Sequence, residues 1–403
     1  MRIMNRIKSV ILLLLVSLTI AGQEMSVAER NAAQGFNDTI DRMAEDFVTA
    51  SLLVTDPGNI LYSVLGHACL RLQCPTFNLD YIFSYESEGV EGKVFRFLIN
   101  DLKMGMTALD LDEYLQPYIE EKRGVREYIL NLPPEVKSEL WRMCDERLAQ
   151  GMMLEYDPVE RGCAISVMHS VEDAIKSANE MTGKHYKIDY PAWGTPFDRT
   201  LREIFYDNAP HGWGLFWCMT IVGGIVDKPQ LPKKEKLICP QELADTWQRC
   251  TIDGQNMISE PIRVICEGNP SKTEAITPLY VSLAVLVLAL LAFLMKLPYI
   301  DWAILGVQSL LGCLILWLLI APLPATGWTW LIIPFNPLPL LCWYWRRFWA
   351  LPYAAVIIAW CAAMLASNLW WHILVEPAHI VLALAFSLVL LKQSPRFMQW
   401  IKK

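Results

Sequence analysis

The last third of the sequence has very few charged residues. Only nine occur between residue 276 and the end of the chain, seven of them basic and two acidic. Charge this sparse, in a chain that is 54% hydrophobic, excludes a purely soluble protein and a disordered one. The whole chain has a formal net charge of −7 and this third has +5, so residues 1–275 carry −12. An acidic block before a basic apolar block indicates a water-soluble domain attached to a membrane domain, and it argues against nucleic acid as a partner.

The sequence also lacks the features of a metal centre or a repetitive architecture. None of the eleven cysteines is spaced as a CxxC pair, so we expect no zinc site, and no other metal or cofactor is indicated. No internal repeat or low-complexity tract occurs. Eight of the cysteines fall before residue 276. An exported domain would permit them to form disulfides, but spacing alone does not give their pairing.

The N-terminus has the layout of a secretory signal peptide. An apolar run of twelve residues, Val10–Ala21, is too short to cross a bilayer with ease, and Gly22 follows it. Basic residues precede the run at Arg2, Arg6 and Lys8. We therefore expect residues 1–22 to be a signal peptide that exports residues 23–275; an uncleaved signal anchor is the alternative. No cysteine follows the small residues, which argues against a lipoprotein signal.

Five apolar stretches follow one another in residues 276–403, and each is about long enough to span a membrane. They cover residues 277–297, 302–321, 329–345, 351–371 and 377–391. The sequence therefore predicts an all-α membrane domain of five helices. Lysine and arginine occur at the ends of these stretches on one side only, at Lys296, at Arg346 and Arg347, and after residue 391. The positive-inside rule predicts that this side, with the C-terminus, is cytoplasmic, and that residues 23–275 are periplasmic in an inner-membrane protein.

The third apolar stretch is unusual because it contains three prolines within six residues, at Pro334, Pro337 and Pro339. Such a segment cannot form a straight helix, and the carbonyl groups that it frees need partners. Asn336 lies in this break. Two interpretations stay open. Asn336 contacts lipid or substrate in a notch near the outer leaflet, or it binds a neighbouring helix in a structural kink.

Residues 23–275 are long enough for one sizeable core, and their pattern predicts an α+β domain. Helices are expected over residues 26–55, 91–103, 133–150 and 163–180, and a β-hairpin is expected from residues 61–72 and 79–85. Residues 228–275 have the weakest pattern, and we expect them to lead down to the membrane.

Cys163 stands at a position where a thiol becomes reactive. It follows a loop that ends in Gly162 and opens an apolar helical run, so the positive end of the helix dipole should lower its pKa. A thiolate nucleophile needs a base close by. His67 is the candidate because it lies on the first strand of the predicted hairpin, directly after a glycine that leaves room for another element.

A third polar residue on the second strand of the hairpin would orient the imidazole of His67. The candidates by position are Ser84, Tyr85 and Glu86. A cysteine at the start of a helix, a histidine on a strand and a polar partner on the next strand follow the logic of papain-like thiol enzymes, here with the histidine before the cysteine. The alternative is a buried core histidine beside an inert structural cysteine.

Several stretches of the sequence resemble the Lnb family of lipoprotein N-acyltransferases. In residues 23–275 they are Asp56–Gly58, Gly66–Arg71, Tyr81–Tyr85, Glu121–Val125, Leu130–Leu132, Tyr156–Cys163 and Gly223–Asp227. The five apolar stretches, with Asn336–Leu340 in the third, resemble the membrane domain of the family. The resemblance implies a papain-like exported domain in which Cys163 and His67 are catalytic. Ser84 and Glu86 differ from the residues that the family usually carries there, so the third catalytic residue stays open.

The resemblance implies a membrane-bound acyltransferase. Thiolate attack on a phospholipid ester would give a thioester of Cys163, and the acyl chain would then pass to the N-terminal amine of a diacylated lipoprotein. Arg71 and Arg123 are candidates to bind the lipid phosphate, and ordinary ion pairs are the alternative for both. Two other functions stay open. One is a membrane-tethered papain-like thiol hydrolase of peptides or peptidoglycan, and the other is a non-enzymatic envelope scaffold in which Cys163 is dispensable.

Overall fold

A computed structural model describes residues 48–87, 93–151, 153–191, 199–227, 237–269, 274–321, 323 and 325–401. The predicted signal peptide, residues 1–22, and most of the helix predicted for residues 26–55 lie outside the described residues. The end of that predicted helix is wrong, because Thr49–Thr55 is a β-strand buried in the centre of a sheet. Its run of Leu52, Leu53 and Val54 suits a strand that is covered on both faces.

The first domain is built on an antiparallel sheet of seven strands. In spatial order these are β10, β5, β1, β2, β3, β4 and β6. Their bounds in chain order are β1 Thr49–Thr55, β2 His67–Cys74, β3 Leu79–Ser87, β4 Lys103–Leu109, β5 Val125–Leu130, β6 Leu154–Glu155 and β10 Arg263–Cys266. A second sheet of three short strands contains β7 Ile188–Asp189, β8 Thr251–Ile252 and β9 Gln255–Asn256.

Helices cover both faces of the large sheet, which makes the domain α+β as predicted. Their bounds are α1 Lys93–Leu98, α2 Leu111–Glu121, α3 Pro134–Gln150, α4 Cys163–Thr182, α5 Leu201–Asn208, α6 Trp213–Ile221 and α7 Pro240–Trp247. Helices α3 and α4 pack on the face that carries Leu70 and Phe83. On the other face, Tyr114 of α2 packs over Leu53 and Cys69. The alternation of side chains along each strand therefore separates two apolar layers.

The predicted hairpin is confirmed, but its first strand starts later than the sequence pattern suggested. Leu61–Ser63 forms a short 3₁₀ turn, and β2 begins at His67. Gly66 causes the break because its φ is +85° and an added Cβ would lie 2.3 Å from the carbonyl oxygen of Thr55. Only glycine fits such a position. Because of this tight approach, His67 is the first residue of β2 and lies at the end of the strand, where the pairing with the neighbouring strands begins.

The end of the domain is more ordered than expected. Within residues 237–269, helix α7 packs against the large sheet and β10 pairs with β5 at its edge. The expectation that residues 228–275 mainly lead down to the membrane is therefore wrong for most of that segment. Its strands are too short and too polar to give a clear alternating pattern.

The second part of the chain is helical and apolar. Its helices are α8 Pro278–Met295, α9 Pro298–Ile320, α10 Leu338–Leu341, α11 Arg346–Trp370, α12 Pro377–Lys392 and α13 Pro395–Ile401. In the described residues, three helical segments are long and apolar enough to cross a membrane, namely α8, α9 and Trp343–Trp370. Helices α12 and α13, which meet at 87°, make a fourth if the bent pair counts as one span.

The third of the five predicted membrane helices, over residues 329–345, is not confirmed as a continuous helix. As its prolines predicted, this segment is broken, into the short turns Trp330–Ile332 and Trp343–Trp345 and the four-residue α10. Asn336 holds the break together. Its Nδ2 donates to the carbonyls of Ile332 and Ile333 at 3.2 and 3.1 Å, and its Oδ1 accepts from the amide of Leu338 at 3.1 Å. The bond to Ile333 satisfies a carbonyl whose helical partner would be residue 337, a proline without an N–H, and the other two bonds hold the turn around it.

The first domain rests on one end of the membrane helices. The amides of Gly223 and Gly224 donate to the carbonyls of Ala325 and Trp328 at 3.0 and 2.9 Å. A Cβ on Gly223 would lie 2.7 Å from the Trp328 oxygen, so the contact requires a glycine. In the loop between α11 and α12, His372 lies 2.9 Å from the carboxylate of Glu203. These contacts place α5 and α6 at the membrane-facing end of the domain.

Candidate active site

Cys163 is the first residue of helix α4, as predicted. The loop before it is shaped by Asp157, whose Oδ1 accepts from the amides of Val159 and Glu160 at 2.9 and 3.1 Å. Gly162 is the N-cap residue, and no side chain caps the helix. A Cβ on Gly162 would lie 2.8 Å from the Pro158 carbonyl. The tight loop thus leaves the first amides of α4 directed toward the half-buried thiol.

His67 of β2 lies beside Cys163 and is held by Ser84 of β3. The two strands pair Cys69 with Ser84, so His67 and Ser84 stand diagonally on the same face of the sheet. His67 Nε2 and Ser84 Oγ are 2.7 Å apart, and Ser84 is fully buried. With Nε2 engaged by Ser84, Nδ1 is the ring nitrogen left for the thiol.

The surroundings of Cys163 favour its thiolate. Burial acts to raise the pKa of the thiol, but the charge of His67, a hydrogen bond with its ring and the amides of Ala68 and Ala164 oppose burial. The opposing effects win, and the pKa of Cys163 is lowered. Because the thiolate is the nucleophilic form of cysteine, these surroundings make Cys163 the candidate nucleophile.

The other buried thiols of the domain behave in the opposite way. Burial raises the pKa of Cys144, Cys218 and Cys250 to about 12, and it also raises the pKa of Cys69 and Cys239. All eleven cysteines lie in the described residues, and each is a free thiol. Proximity to a histidine and to helix-start amides therefore distinguishes Cys163 from its neighbours.

Of the three candidates for the orienting residue, Ser84 is the one that the described contacts join to His67. Tyr85 points to the opposite face, where its hydroxyl contacts Ser170 at 2.9 Å and accepts from Arg147 at 2.6 Å. Glu86 shares the face of Ser84 and stands two residue pairs further along β3, opposite Gly105 of β4.

Two of the residues proposed to bind substrate, Arg71 and Arg123, lie outside this group, and each already has a carboxylate partner. Arg71 is buried and pairs with Asp80 at 2.6 Å and Glu127 at 3.1 Å. Arg123 donates to the carbonyl of Asp56 at 2.8 Å and pairs with Glu121 at 2.9 Å. These contacts favour the interpretation of Arg71 and Arg123 as ion-paired residues.

Asn336 is likewise engaged, because it is only 8% exposed and its amide serves the broken segment described above. The contacts favour the structural kink over the notch. Across the part of the chain that the structure describes, no group of three or more His, Cys, Asp or Glu side chains is placed to hold a metal ion.

Sequence reasoning missed Tyr156 as a neighbour of the thiol. Burial raises the pKa of Tyr156, and the charge of Cys163 raises it further, which puts the two groups close together. The Tyr156 ring makes an edge contact with Phe97 of α1, with 6.4 Å between centroids. The sequence feature that could have identified Tyr156 is its position directly before Asp157, in the loop that leads to the start of α4.

We expect the replacement of Ser84 by alanine to slow the alkylation of Cys163 by iodoacetamide at neutral pH by severalfold. The change frees the imidazole of His67 to rotate away, so the thiolate loses its closest cation. Tyr85→Phe and Glu86→Gln are the matched controls, with peptide-level mass spectrometry of Cys163 as the measurement. An equal slowing in all three variants would show that Ser84 has no special part in holding His67.

Comparison with known families agrees with the resemblance noted above. Residues 36–199 match the family model described as the Lnb N-terminal periplasmic domain. The matched region contains His67, Ser84 and Cys163 and ends before the apolar helices. No curated protein and no solved structure matches the chain.

Proposed function

We propose, on the premise that this chain belongs to the Lnb family through residues 36–199, that it is a membrane-bound acyltransferase. Its substrates would be a phospholipid as acyl donor and the N-terminal amine of a diacylated lipoprotein as acceptor. The observation that carries the proposal is the contact between the half-buried Cys163 thiol and the His67 ring, which favours the thiolate. A periplasmic domain joined to apolar helices is the setting in which such a thiol meets lipid.

The first half-reaction forms a thioester. The thiolate of Cys163 attacks the carbonyl carbon of a phospholipid ester, a C–S bond forms, and the ester C–O bond breaks. His67, protonated by the thiol, returns that proton to the leaving glycerol oxygen, so a lysophospholipid departs. The amides of Ala68 and Ala164, which already contact the sulfur, are the candidates to stabilise the oxyanion.

The second half-reaction transfers the chain to an amine. The N-terminal amine of the lipoprotein attacks the thioester carbon, an amide C–N bond forms, and the C–S bond breaks. His67 accepts the proton that the amine loses, and the Cys163 thiolate is regenerated. The proposal gives the three residues papain-like roles. Cys163 is the nucleophile, His67 is the general acid and base, and Ser84 is a positioning residue.

The proposed topology has five membrane passages in the inner membrane, with the broken segment as the third. The positions of the two ends of this broken segment support the proposal. Trp328 contacts the periplasmic domain through Gly224, whereas Arg346 begins α11, a helix of 25 residues whose far end returns to that domain near Glu203. Lys392 ends α12 at the opposite end from the domain and pairs with Asp301 at 2.7 Å. A cytoplasmic C-terminus agrees with these basic residues.

The proposal predicts that the full-length protein, in phospholipid bilayers, adds one acyl chain to a diacylated lipopeptide. Mass spectrometry of the lipopeptide measures the gain, and lysophospholipid should appear in equal amount. Lipopeptide blocked at its N-terminal amine is the control and should gain nothing.

The rival functions give different products in the same assay. Release of free fatty acid or cleavage of the peptide, without transfer, would favour the membrane-tethered thiol hydrolase. If neither lipid nor peptide changes with several phospholipid donors, the scaffold interpretation replaces the acyltransferase.

A further inference from the structure

Helix α1 of the periplasmic domain is attached to the domain-facing end of α9. Trp317 Nε1 of α9 donates to the carbonyl oxygen of Leu98 at 2.8 Å. A small apolar cluster surrounds this bond, formed by Ile221, Leu318 and Leu323 with Phe97, Leu98 and Leu314 packed against it. Helix α1 therefore lies where α9 leaves the apolar phase.

The outer side of α1 presents apolar side chains that the protein does not cover. Phe95 is 66% exposed, and Ile99, directly after the helix, is 48% exposed. Leu310 and Ile320 of α9, a helix long and apolar enough to cross a membrane, are also exposed, and Trp317 of the same helix holds α1. Among the side chains of α1 that the structure describes, Arg96 is the basic one, and it is paired with Asp101. An exposed apolar surface attached to a membrane helix is suited to the outer leaflet rather than to a protein partner.

The inner side of α1 leads toward the thiol. Phe97 belongs to the apolar cluster on α9 and also contacts the ring of Tyr156. Tyr156, in turn, directly precedes the loop that Asp157 shapes and that ends at Cys163, and the charge of Cys163 acts on its hydroxyl. The aromatic rings of Phe97 and Tyr156 thus connect the end of α9 to Cys163, and neither of these two side chains carries a charge.

We infer that α1 and the adjoining end of α9 form the entry through which an acyl chain of an outer-leaflet phospholipid reaches Cys163. Phe95 and Ile99 insert into the leaflet, and Phe97 and Tyr156 line the route of the chain. This inference rests on the proposed function, since it supplies the path for that acyl donor. It explains why the nucleophile sits on a domain fastened to the helices at α1.

Photolabelling tests the entry without requiring turnover. The full-length protein is placed in nanodiscs of phosphatidylethanolamine and phosphatidylglycerol that contain a phosphatidylcholine with a diazirine on its acyl chain. After irradiation, we expect label on the peptide that carries Phe95 and Ile99. The peptide with Met181 is the control because this exposed side chain lies at the far end of α4, ~27 Å from Cys163 along the helix. Label on α8 and α9 but not on α1 would overturn the inference.

Activity measurements separate the entry from the chemistry. Phe95→Ser and Ile99→Ser should each lower transfer from bilayer phospholipid about tenfold, the scale set by one apolar side chain leaving an apolar phase. Transfer from a water-soluble short-chain acyl thioester should stay unchanged, and Met181→Ser should change neither. Equal loss with both donors, or loss with neither, would overturn the entry. If the intact protein transfers from no donor while α1 is labelled, the proposed function fails and the membrane contact of α1 stands.

Discussion

Replacing Cys163 by serine will lower acyl transfer at least about a thousandfold, the scale seen when an enzyme loses its nucleophile. The cause is the ionisation of the side chain. The thiol of Cys163 has a lowered pKa because His67 and two backbone amides outweigh burial, whereas a serine hydroxyl stays almost fully protonated beside the same histidine. The substitution is nearly isosteric, so helix α4 should keep its start.

The measurement combines transfer with capture of the intermediate. The wild-type protein, incubated with phospholipid but no acceptor, should gain the mass of one acyl chain on the Cys163 peptide, and hydroxylamine should remove it. Cys163→Ser should gain none. Cys266→Ser is the matched control because Cys266 is also a partly buried free thiol, at the sheet edge on β10. Normal transfer by Cys163→Ser would eliminate the thioester mechanism at this residue and indicate another nucleophile.

The position of the nucleophile could be predicted from sequence because its signals are local. A loop ending in Gly162 before an apolar run predicts a helix start, and α4 begins at Cys163. The strand position of His67 followed from the hairpin pattern. The start of that strand could not be predicted, because Gly66 fits the alternating pattern of the sequence. Only the structure shows its left-handed φ, which ends a regular strand.

Contacts between distant segments could not be predicted in the same way. For Arg71 the sequence leaves two interpretations open, a ligand of lipid phosphate and an ordinary ion pair, because its spatial neighbours cannot be read from the sequence. Its partners are Asp80, on the next strand, and Glu127, which lies 56 residues away in sequence. Tyr156 was missed for the same reason, since only the fold brings Phe97 and Cys163 to either side of it.

The membrane segment shows a limit of apolar length as a predictor. Residues 329–345 are apolar enough for a span, and their three prolines predicted a break but not its form. The form depends on side chains from other helices. Gln308 of α9 donates to the carbonyl of Pro334 at 2.6 Å, and Gly312 lets the backbone of Asn336 approach closely.

Replacing His67 by glutamine will move the alkylation of Cys163 to higher pH. In the wild-type protein, the lowered pKa of Cys163 keeps the thiolate present below the ordinary thiol range, so alkylation should persist to lower pH than for a free cysteine. The substitution removes the charge of His67 and the hydrogen bond of its ring. Burial, the largest single influence and one that raises the pKa, is then opposed only by the amides of Ala68 and Ala164. The midpoint of the alkylation profile should therefore rise.

The same substitution should lower the rate of acyl transfer by a factor of about 10²–10⁴, which is the usual contribution of a general acid–base catalyst. His169→Gln is the matched control, because His169 lies on the same helix as Cys163 but is exposed to solvent. Rates of iodoacetamide labelling at the Cys163 peptide, followed by mass spectrometry across pH, give the two midpoints. If His67→Gln keeps the wild-type midpoint while transfer falls, His67 acts on the substrate alone and does not activate the thiol. If both quantities stay unchanged, His67 is a core histidine, and the base must be sought elsewhere around Cys163.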